Sequence, residues 1–480
     1  MDSLAFQASQ ILDSLLQGKT YSHEDLIVYI KDNICAMSQF KALSPKKIEE
    51  IAEEYEKLYG GKTFKPGTTL ETKQGYDIWF YQKKDTMSDS EHCYENRYRD
   101  YLKLNHFGEN TTNYILKETE KILSLCSDPE SNDKRRGLVM GDVQSGKTSN
   151  YLALANMAID YGYKLILILA GMTDSLRIQT QERVDAGFIG AVSSSIGEKT
   201  IEYVGVGRLG DCSHYAIPLT TDKSDFEGMH AISTDFNKPQ VLVVKKQKSI
   251  LTNVKKWLNP GNKDVSSRNI LIIDDECDNA SINTKKDDDP SVINSLIRDI
   301  YNNFNCATYV GYTATPFANI FINPEKKIGN DDLFPSDFIH RLHSSPESYF
   351  GAKKVFSNSE INSPLVLLDE KEPMFLPVKH KRNYSYEGLT ESLRNAICNF
   401  LICCCIRTLR GDSRKHKSMM INISPYNDIQ EEIKESVQLY IANLQNIIFQ
   451  YDKYPLEKFL KNAEMKRIYE IYKNDAFHIL

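Results

Sequence analysis

The stretch GLVMGDVQSGKT, residues 137–148, decides the fold of this chain. A short apolar run leads into a loop that matches the pattern G-x-x-x-x-G-K-[ST]. Glycines let such a loop turn tightly, so that its N–H groups point at phosphate oxygens, and the following helix presents its positive amino-terminal end. The stretch therefore predicts a phosphate-binding loop between a buried strand and a helix.

The polar residues of this loop have separate predicted roles. Lys147 is expected to reach the β- and γ-phosphates and to act in catalysis, and Thr148 to offer its hydroxyl to Mg²⁺, which prefers oxygen ligands. The other predicted nucleotide-binding residues are Gly141, Gln144, Ser145, Gly146 and Ser149. A glycine turn without a ligand is the alternative, and the apolar strand before the loop and the helical spacing after it argue against it.

A second informative stretch is ILIIDDECD, residues 270–278. Four consecutive aliphatic residues are typical of a strand that is buried on both faces of a parallel sheet. Carboxylates at the end of such a strand lie in the ligand crevice. We expect Asp275 to contact Mg²⁺ and Glu276 to orient and activate the attacking water. A solvated acidic turn is the alternative interpretation.

Strand and helix patterns alternate between these two stretches and beyond them. Residues 164–171 have a strand pattern that a helical pattern follows, residues 241–258 repeat this arrangement, and residues 302–316 contain another strand pattern. Alternating units of this kind predict one parallel sheet with helices on both faces. Ligands then collect beyond the carboxyl ends of the strands, where the loop and the acidic residues fall.

At this point the residues carry a family resemblance. The DECD of residues 275–278 and the TATP of residues 313–316 resemble motifs II and III of superfamily 2 helicases. Longer strings, at residues 135–190, 272–284 and 309–324, resemble the Z1 domain family, roughly over residues 97–425. Members of that family are described as helicase-like ATPases, often labelled endonucleases, that occur beside bacterial restriction and other DNA-defence genes.

The resemblance implies a RecA-like P-loop ATPase lobe that uses ATP and Mg²⁺ and acts on DNA, with restriction or defence proteins as possible partners. Thr313 and Thr315 would couple the state of the nucleotide to a bound strand. Residues 176–183, LRIQTQER, would form a helix that contacts nucleic acid or flanks the sheet. A plain amphipathic helix remains an equal alternative for that segment.

The chain departs from the helicase pattern in its last hundred residues. Residues 416–441 look like the opening strand and helix of a second RecA-like lobe, but only helical patterns follow. No arginine box appears, and a missing arginine finger can cost about 10³ to 10⁵ in turnover. We therefore expect a fragment, a split subunit that another subunit completes, or a regulatory protein. The main alternative function is a nucleotide-gated binding module with little turnover.

Composition shifts predict four regions. They are an N-terminal helical domain (1–126), a RecA-like P-loop ATPase lobe (127–325), an irregular insertion or linker rich in proline (326–384) and an incomplete second lobe (385–480). Within the last region, residues 390–411 predict an apolar helix that is capped by Thr390 and packs in a core. The predicted fold class is thus α/β, with a parallel sheet at its centre.

The charge balance gives no global sign of nucleic-acid binding. The 480 residues are 41% hydrophobic and 26% charged, with a net charge of −6, which is ordinary globular material. A local basic groove can still bind phosphates. The basic clusters are at residues 134–136, 245–246 and 353–354, and a solvated surface is the alternative for each.

The remaining features limit the possible functions. The ten cysteines do not form zinc-binding pairs, and Cys403, Cys404 and Cys405 are expected to be small buried hydrophobes. The sequence predicts neither a secretory signal nor a membrane span, so we expect a cytoplasmic protein. Glu71 and Lys73 form a Glu-x-Lys triplet of the nuclease type, but no acidic residue at a convincing spacing completes it. A small-molecule kinase is disfavoured by the coupling segment at residues 313–316.

Overall fold

The computed structural model describes residues 3–16, 21, 23–41, 43–59, 64–105, 107–143, 145–209, 216–227, 238–258, 268–282, 291–322, 333–345, 349–356, 365–366, 376–377, 379–386, 388–411 and 416–476. These residues form a mixed α/β fold with one eight-stranded sheet. The chain divides into two compact units. One consists of Met1–Ile11, Tyr29–Ile51 and Ala352–Leu480, and the other of Leu12–Val28 and Ala52–Gly351.

The larger unit contains the whole sheet. Its strands are β1 (Thr68–Glu71), β2 (Lys134–Met140), β3 (Leu165–Ala170), β4 (Ile217–Pro218), β5 (Gln240–Lys245), β6 (Asn269–Asp275), β7 (Cys306–Thr313) and β8 (Phe338–Arg341). Their spatial order is β1-β8-β2-β7-β6-β3-β5-β4. All the pairings are parallel except the one between β1 and β8. The predicted parallel sheet is therefore present, with one antiparallel strand added at an edge.

Sixteen α-helices are defined in the described part of the chain. They are α1 (Ser3–Leu16), α2 (His23–Tyr29), α3 (Pro45–Tyr59), α4 (Ile78–Thr86), α5 (Cys93–Leu104), α6 (Glu109–Leu125), α7 (Lys147–Asp160), α8 (Asp174–Val184), α9 (Lys248–Leu258), α10 (Val292–Asn302), α11 (Phe317–Ile320), α12 (Ala352–Phe356), α13 (Glu391–Leu409), α14 (Asn427–Tyr451), α15 (Leu456–Phe459) and α16 (Ala463–Ile471). The strand and helix patterns that the sequence predicted between residues 164 and 313 coincide with β3, α8, β5, α9 and β7.

The centre of the sheet is buried on both faces because helices cover each of them. Every residue of β3 is buried, and alternate residues of a strand point to opposite faces. Ile166 and Ile168 accordingly pack in one apolar cluster with residues of α6 and α7. Leu167 and Leu169 pack in a second cluster with residues of α9 and α10. The aliphatic runs of β3, β5 and β6 thus form the core that holds the strand ends in place.

Two four-residue strands, and the two-residue β4, lie where the sequence predicted none. β8 falls within the region that was expected to be an irregular linker, and it pairs in parallel with β2. β1 falls within the predicted helical domain and pairs with β8. β1 and β8 have only four residues each, too few for a periodic pattern to reveal. The predicted boundary at residue 126 also falls inside the larger unit, which joins residues 52–126 to the sheet.

The smaller unit is helical where it is described. α13 begins after Thr390, whose hydroxyl accepts the N–H of Leu393, and ends just before Gly411, which has a φ of 98°. This confirms the predicted helix and its cap. The strand expected near residue 416 is not formed: residues 416–424 have no strand pairing, and the helix α14 follows. The described part of this region therefore lacks the opening strand of a second lobe.

The helix α13 is long and apolar enough to cross a membrane by length and hydropathy alone. One such helix is weak evidence for a span, because a core helix of a globular protein passes the same test. Its buried residues Ile402 and Ile406 lie four positions apart, on one face. The prediction that the three adjacent cysteines are buried was wrong, because Cys403 and Cys405 are exposed on the other faces.

Two of the three basic clusters are partly structural. Arg135, in β2, is buried and donates to the carbonyl oxygens of Tyr76, Leu125 and Cys126. Lys246, just after β5, is also buried. Neither residue belongs to a solvated surface or to a basic groove. The side chains of residues 353 and 354 lie outside the described part.

Candidate nucleotide-binding site

The loop between β2 and α7 has the geometry of a tight turn into a helix. Gly146, the residue before α7, has a φ of 93°, which L-residues with a side chain rarely adopt. A Cβ atom at Gly141 would lie 2.9 Å from Cγ of Lys147 and 3.0 Å from Oγ of Ser145. The two glycines of the pattern are therefore required for different reasons, one for its backbone angle and one for space. Gln144, the remaining predicted residue of the loop, lies outside the described residues.

Lys147 is held by its own loop. Its ammonium donates to the carbonyl oxygens of Gly141 at 3.2 Å and Asp142 at 2.7 Å. Burial lowers the pKa of this ammonium, and the carboxylates of Asp275 and Asp142 oppose that shift. The Lys147 side chain thus sits in the loop as a partly buried cation, close to several carboxylates.

The acidic residues lie at the carboxyl end of β6, as the sequence predicted. Burial raises the pKa of Asp275, and the neighbouring carboxylate of Glu276 raises it further. Glu276 has a φ of 54°, in the left-handed region that is uncommon for residues other than glycine. The backbone therefore turns sharply at Glu276, directly after the strand ends.

Lys246, which was predicted to belong to a basic cluster, is buried and holds this turn. The Lys246 ammonium donates at 2.8 Å to Oδ1 of Asp274 and to the carbonyl oxygens of Asp275 and Glu276. Tyr309 donates to the other carboxylate oxygen of Asp274 at 2.6 Å. The carbonyl oxygens of Asp275 and Glu276 both accept from the buried ammonium of Lys246, and these bonds fix the backbone around Glu276.

The ends of β6 and β7 are joined through side chains. Thr313 donates its hydroxyl to Oδ1 of Asp278 at 2.7 Å, and Thr315 donates to Oδ2 of the same carboxylate at 2.5 Å. The N–H of Thr315 also donates to the Thr313 hydroxyl at 2.9 Å. The N–H of Gly141 donates to the Thr313 carbonyl at 3.1 Å, which ties the phosphate-type loop to the same strand end.

These elements surround one cavity of about 860 Å³. It is lined by Tyr98, Tyr101, Leu102, Asn105, Phe107, Val143, Ser145, Gly146, Lys147, Thr148, Ser149, Leu152, Arg183, Asp275, Glu276, Asp278, Asn279, Tyr312, Thr313, Ala314 and Thr315. Apart from Gly141, every described residue that was predicted for the site lies on this cavity, and Gly141 contacts it through Lys147. The predicted residues that line the cavity are up to 170 positions apart in the chain, from Ser145 to Thr315.

Arg183 is a cavity residue whose role the sequence did not indicate. It lies near the end of α8, where its guanidinium donates to Oγ1 of Thr148 at 3.4 Å. The same helix has buried polar residues, since Arg177 donates to two backbone carbonyls and Gln181 bonds to Thr220. α8 therefore flanks the sheet, while its last turn reaches the cavity. Nothing in the spacing of these residues distinguished Arg183 from a surface arginine.

The residues present fit a phosphate group with a hard cation. In the described part of the structure, the Tyr151 hydroxyl is buried beside Thr148 and Asp275. Oγ of Ser145 is buried as well and has no hydrogen-bond partner there. No group of three or more His, Cys, Asp or Glu side chains among the described residues could hold a metal by itself. Thr148 and Asp275 suit Mg²⁺, which commonly takes one or two protein oxygens and completes its shell with phosphates and water.

The Glu-x-Lys triplet is separate from this cavity. Glu71 lies at the end of β1, and its carboxylate pairs with the ammonium of Lys121 at 3.0 Å. It takes part in an ion pair between a strand and α6, and it does not line the cavity.

Comparison with known families gives one match. Residues 392–478 match the family model described as Z1 domain, which is less than half of the chain. The resemblance seen in the sequence was drawn over residues 97–425, so the two overlap only at residues 392–425. Searches of curated proteins and of solved structures found no match. Through its residues 392–478, the chain is similar to the Z1 domain family.

Proposed function

We propose that this chain binds ATP with Mg²⁺ and hydrolyses it as a RecA-like, helicase-like motor that acts on DNA. The observation that carries the proposal is the convergence of three strand ends on one cavity: the loop after β2, the acidic turn after β6 and the threonines after β7. Ligands of parallel α/β sheets bind at this edge.

Each part of an ATP-hydrolysing site has a residue in this cavity. The loop N–H groups and Lys147 would hold the phosphates, and Thr148 with Asp275 would hold Mg²⁺. Glu276 would orient the attacking water, because its carboxylate lies beside Asp275 at the sharp turn. Bound Mg²⁺ would supply charge neutralisation for the phosphoryl group. The raised pKa of Asp275 supports this assignment, because a cation placed beside it offsets the cost of its buried negative charge.

The proposal that the chain acts on DNA rests on the helicase-like motifs at residues 275–278 and 313–316. The bonds from Thr313 and Thr315 to Asp278 provide a physical link between the acidic turn and the end of β7. A structural change around the phosphates of the nucleotide would be transmitted to the end of β7 through these hydrogen bonds. Residues 392–478 are similar to the Z1 domain family. From the family resemblance drawn on the sequence, we propose that the chain acts in the cytoplasm with restriction or defence partners.

A nucleotide-gated binding or regulatory subunit with little turnover is the second candidate. The internal contacts of the site favour it, since Lys147 bonds to its own loop and Arg183 bonds to Thr148. Both side chains would have to exchange these partners for phosphate or metal. In such a subunit, nucleotide binding would rearrange the loop without rapid hydrolysis.

Phosphate release by the purified chain separates the two candidates. ATP and Mg²⁺ are supplied with duplex DNA, with single-stranded DNA or without DNA, and Lys147→Ala serves as the blank. Lys256→Ala is the matched control, because Lys256 is exposed on α9 and lies outside the cavity. DNA-stimulated release supports the motor. ATP binding without release supports the gated subunit, and the absence of ATP binding would overturn both.

A further inference from the structure

Part of the cavity lining comes from α5 and the residues just after it, which precede the phosphate-type loop by more than thirty residues. We name it the aromatic wall, and it consists of Tyr98, Tyr101, Leu102, Asn105 and Phe107. This region falls within the predicted N-terminal helical domain, whose function the sequence did not indicate. The structure places it in the same compact unit as the sheet.

The aromatic wall is attached directly to the start of α7. The Tyr98 hydroxyl donates to the carbonyl oxygen of Ser149 at 2.9 Å. Ser149 is the residue after Thr148, so the wall begins within one helical turn of the predicted phosphate and metal contacts. A ligand whose phosphates lie in the loop would therefore have its remaining atoms within reach of this wall.

The rings of Tyr98 and Tyr101 pack against each other and against the backbone at Gly187. The ring centroids of Tyr98 and Tyr101 are 5.9 Å apart with an angle of 31° between the ring planes. A Cβ atom at Gly187 would lie 3.3 Å from Tyr98 and 3.8 Å from Tyr101, so the backbone there packs closely against both rings. A fixed ring offers a stacking surface at low entropic cost.

Only some side chains of the aromatic wall are buried in the core of the protein. Tyr98 and Leu102 are each 1% exposed, and these two side chains anchor the helix in the core. Tyr101 and Phe107 stay half-buried, with part of each ring towards solvent or cavity. Asn105 adds a carboxamide, whose nitrogen donates to the carbonyl of Tyr101 at 2.8 Å. The wall thus combines partly exposed rings with one amide group.

The size of the cavity indicates a ligand larger than a phosphate chain. Pockets for small organic ligands and cofactors have volumes of about 300 to 1,000 Å³. The cavity, at about 860 Å³, has room for a whole nucleotide. Its charged residues are Lys147 of the loop, Arg183 of α8 and the acidic residues at the end of β6, whereas the aromatic wall contributes most of its rings. This combination suits a nucleotide, which has a charged tail and a flat base.

We propose that the aromatic wall binds the nucleobase, which stacks on the ring of Tyr101 and has the Asn105 carboxamide at its edge. This inference rests on the proposed nucleotide binding and adds the part of the site that distinguishes a nucleotide from a bare polyphosphate. Stacking of a base on an aromatic side chain contributes a factor of roughly ten to a hundred in affinity.

The test compares two ligands by calorimetry, ATP and inorganic tripolyphosphate, each with Mg²⁺. Tyr101→Ala should weaken ATP binding by about tenfold to a hundredfold and leave tripolyphosphate binding unchanged. Tyr101→Phe should keep the affinity for ATP because it keeps the ring. Lys147→Ala should weaken the binding of both ligands. Tyr81→Ala is the matched control, since Tyr81 is 44% exposed on α4 and does not line the cavity.

The other outcomes separate this inference from the proposed function. Unchanged ATP affinity in Tyr101→Ala overturns the base site alone, and so does an equal loss for ATP and tripolyphosphate, which would mean that Tyr101 only supports the loop. Retained tripolyphosphate binding also shows that the variant is folded. If the unaltered chain binds neither ligand, the proposed function and the base site both fail.

Discussion

The ammonium of Lys246 lies 2.8 Å from a carboxylate oxygen of Asp274, and neither side chain is exposed to solvent. Removal of one partner from a buried ion pair leaves an uncompensated charge, which typically costs about 3–5 kcal/mol. We expect Lys246→Met to lower the free energy of unfolding by this amount. It should also lower kcat more than it raises KM for ATP, because the turn at Glu276 loses its two bonds to Lys246.

Urea unfolding and steady-state hydrolysis measure these two effects. Lys245→Met is the matched control: its ammonium pairs with Asp174, whose side chain is 70% exposed, so the loss should stay below about 1 kcal/mol. The double variant Lys246→Met with Asp274→Asn should recover part of the stability, since Asn keeps an acceptor for Tyr309. Equal stability of Lys246→Met and Lys245→Met would contradict the structural role of the buried pair.

Glu276→Gln tests the assignment of the attacking water. The amide keeps the size of the side chain but cannot accept a proton, so hydrolysis should fall by roughly 10²- to 10⁴-fold while ATP affinity is retained. Single-turnover phosphate release measures the rate of hydrolysis, and equilibrium ATP binding measures the affinity. Glu182→Gln, an exposed residue of α8, should change neither. Undiminished hydrolysis would remove Glu276 from this role.

Removal of the hydrogen bond from Thr313 to Asp278 should weaken the coupling between DNA and ATP hydrolysis without weakening ATP binding. Thr313→Val keeps the shape of a side chain that is 2% exposed but removes its donor to the carboxylate. A hydrogen bond to a charged group contributes about 1.5–3 kcal/mol, so we expect a loss of about tenfold to a hundredfold in DNA-stimulated hydrolysis. ATP affinity should change little. Thr252→Val, on the exposed side of α9, is the control, and an equal effect in both variants would argue against coupling through Thr313.

Arg183 should contribute to nucleotide affinity. Its guanidinium already lies 3.4 Å from the Thr148 hydroxyl on the cavity, where phosphate oxygens are expected. Because Arg183→Ala removes one positive charge from the cavity, we expect ATP binding to weaken by about tenfold, with partial recovery in Arg183→Lys. Arg208→Ala, at an exposed arginine that does not line the cavity, supplies the control. Tighter ATP binding by Arg183→Ala would instead identify the contact with Thr148 as inhibitory.

Asp160 predicts a pH dependence of stability. Its carboxylate, at the end of α7, accepts the N–H groups of Tyr94 and Glu95 in the first turn of α5. Burial raises the pKa of this carboxyl from 3.8 to about 7. A group with a raised pKa in the folded state binds its proton more tightly there, so its contribution to stability is fully present below pH 3.8 and is lost as the pH rises through about 7.

Urea unfolding of the unaltered chain and of Asp160→Asn at several pH values measures this contribution. Asparagine keeps an acceptor and cannot ionise, so the stability of the unaltered chain relative to the variant should fall between pH 5 and pH 7 and then level off. A difference that stays constant over this range would mean that the carboxyl does not titrate there. Because α5 carries the aromatic wall, the same series with ATP would report on the attachment of that wall.

Local patterns in the sequence predicted the central strands and the position of the site. The aliphatic runs of β3 and β6 are long enough to be recognised, and the carboxyl ends of parallel strands must meet at one edge. Lys147, Asp275 and Thr313 could therefore be placed near one another without knowledge of a single contact. α5 falls within the predicted N-terminal helical domain, but periodicity does not tell which helix faces a ligand, and the aromatic wall was missed for that reason.

Other features depend on contacts between distant segments. Lys246 looks like a surface residue in a basic pair, and its burial is explained by Asp274 at the end of β6, which β3 separates from β5 in the sheet. β8 has four residues in a proline-rich region, and its assignment as a strand depends on its pairing with β2 and β1. In each case a contact with a distant segment decides the local structure, and no local sequence pattern indicates that contact.

The place of β8 beside β2 also has a consequence for synthesis and truncation. All the strand ends that surround the cavity are complete by residue 315, yet β2 remains an edge strand until residues 338–341 are added. An exposed edge invites pairing with other chains, above all while a protein is still emerging from the ribosome. A version cut between residues 316 and 337 would retain every proposed nucleotide contact and should nevertheless aggregate, because β2 would keep an unpaired edge.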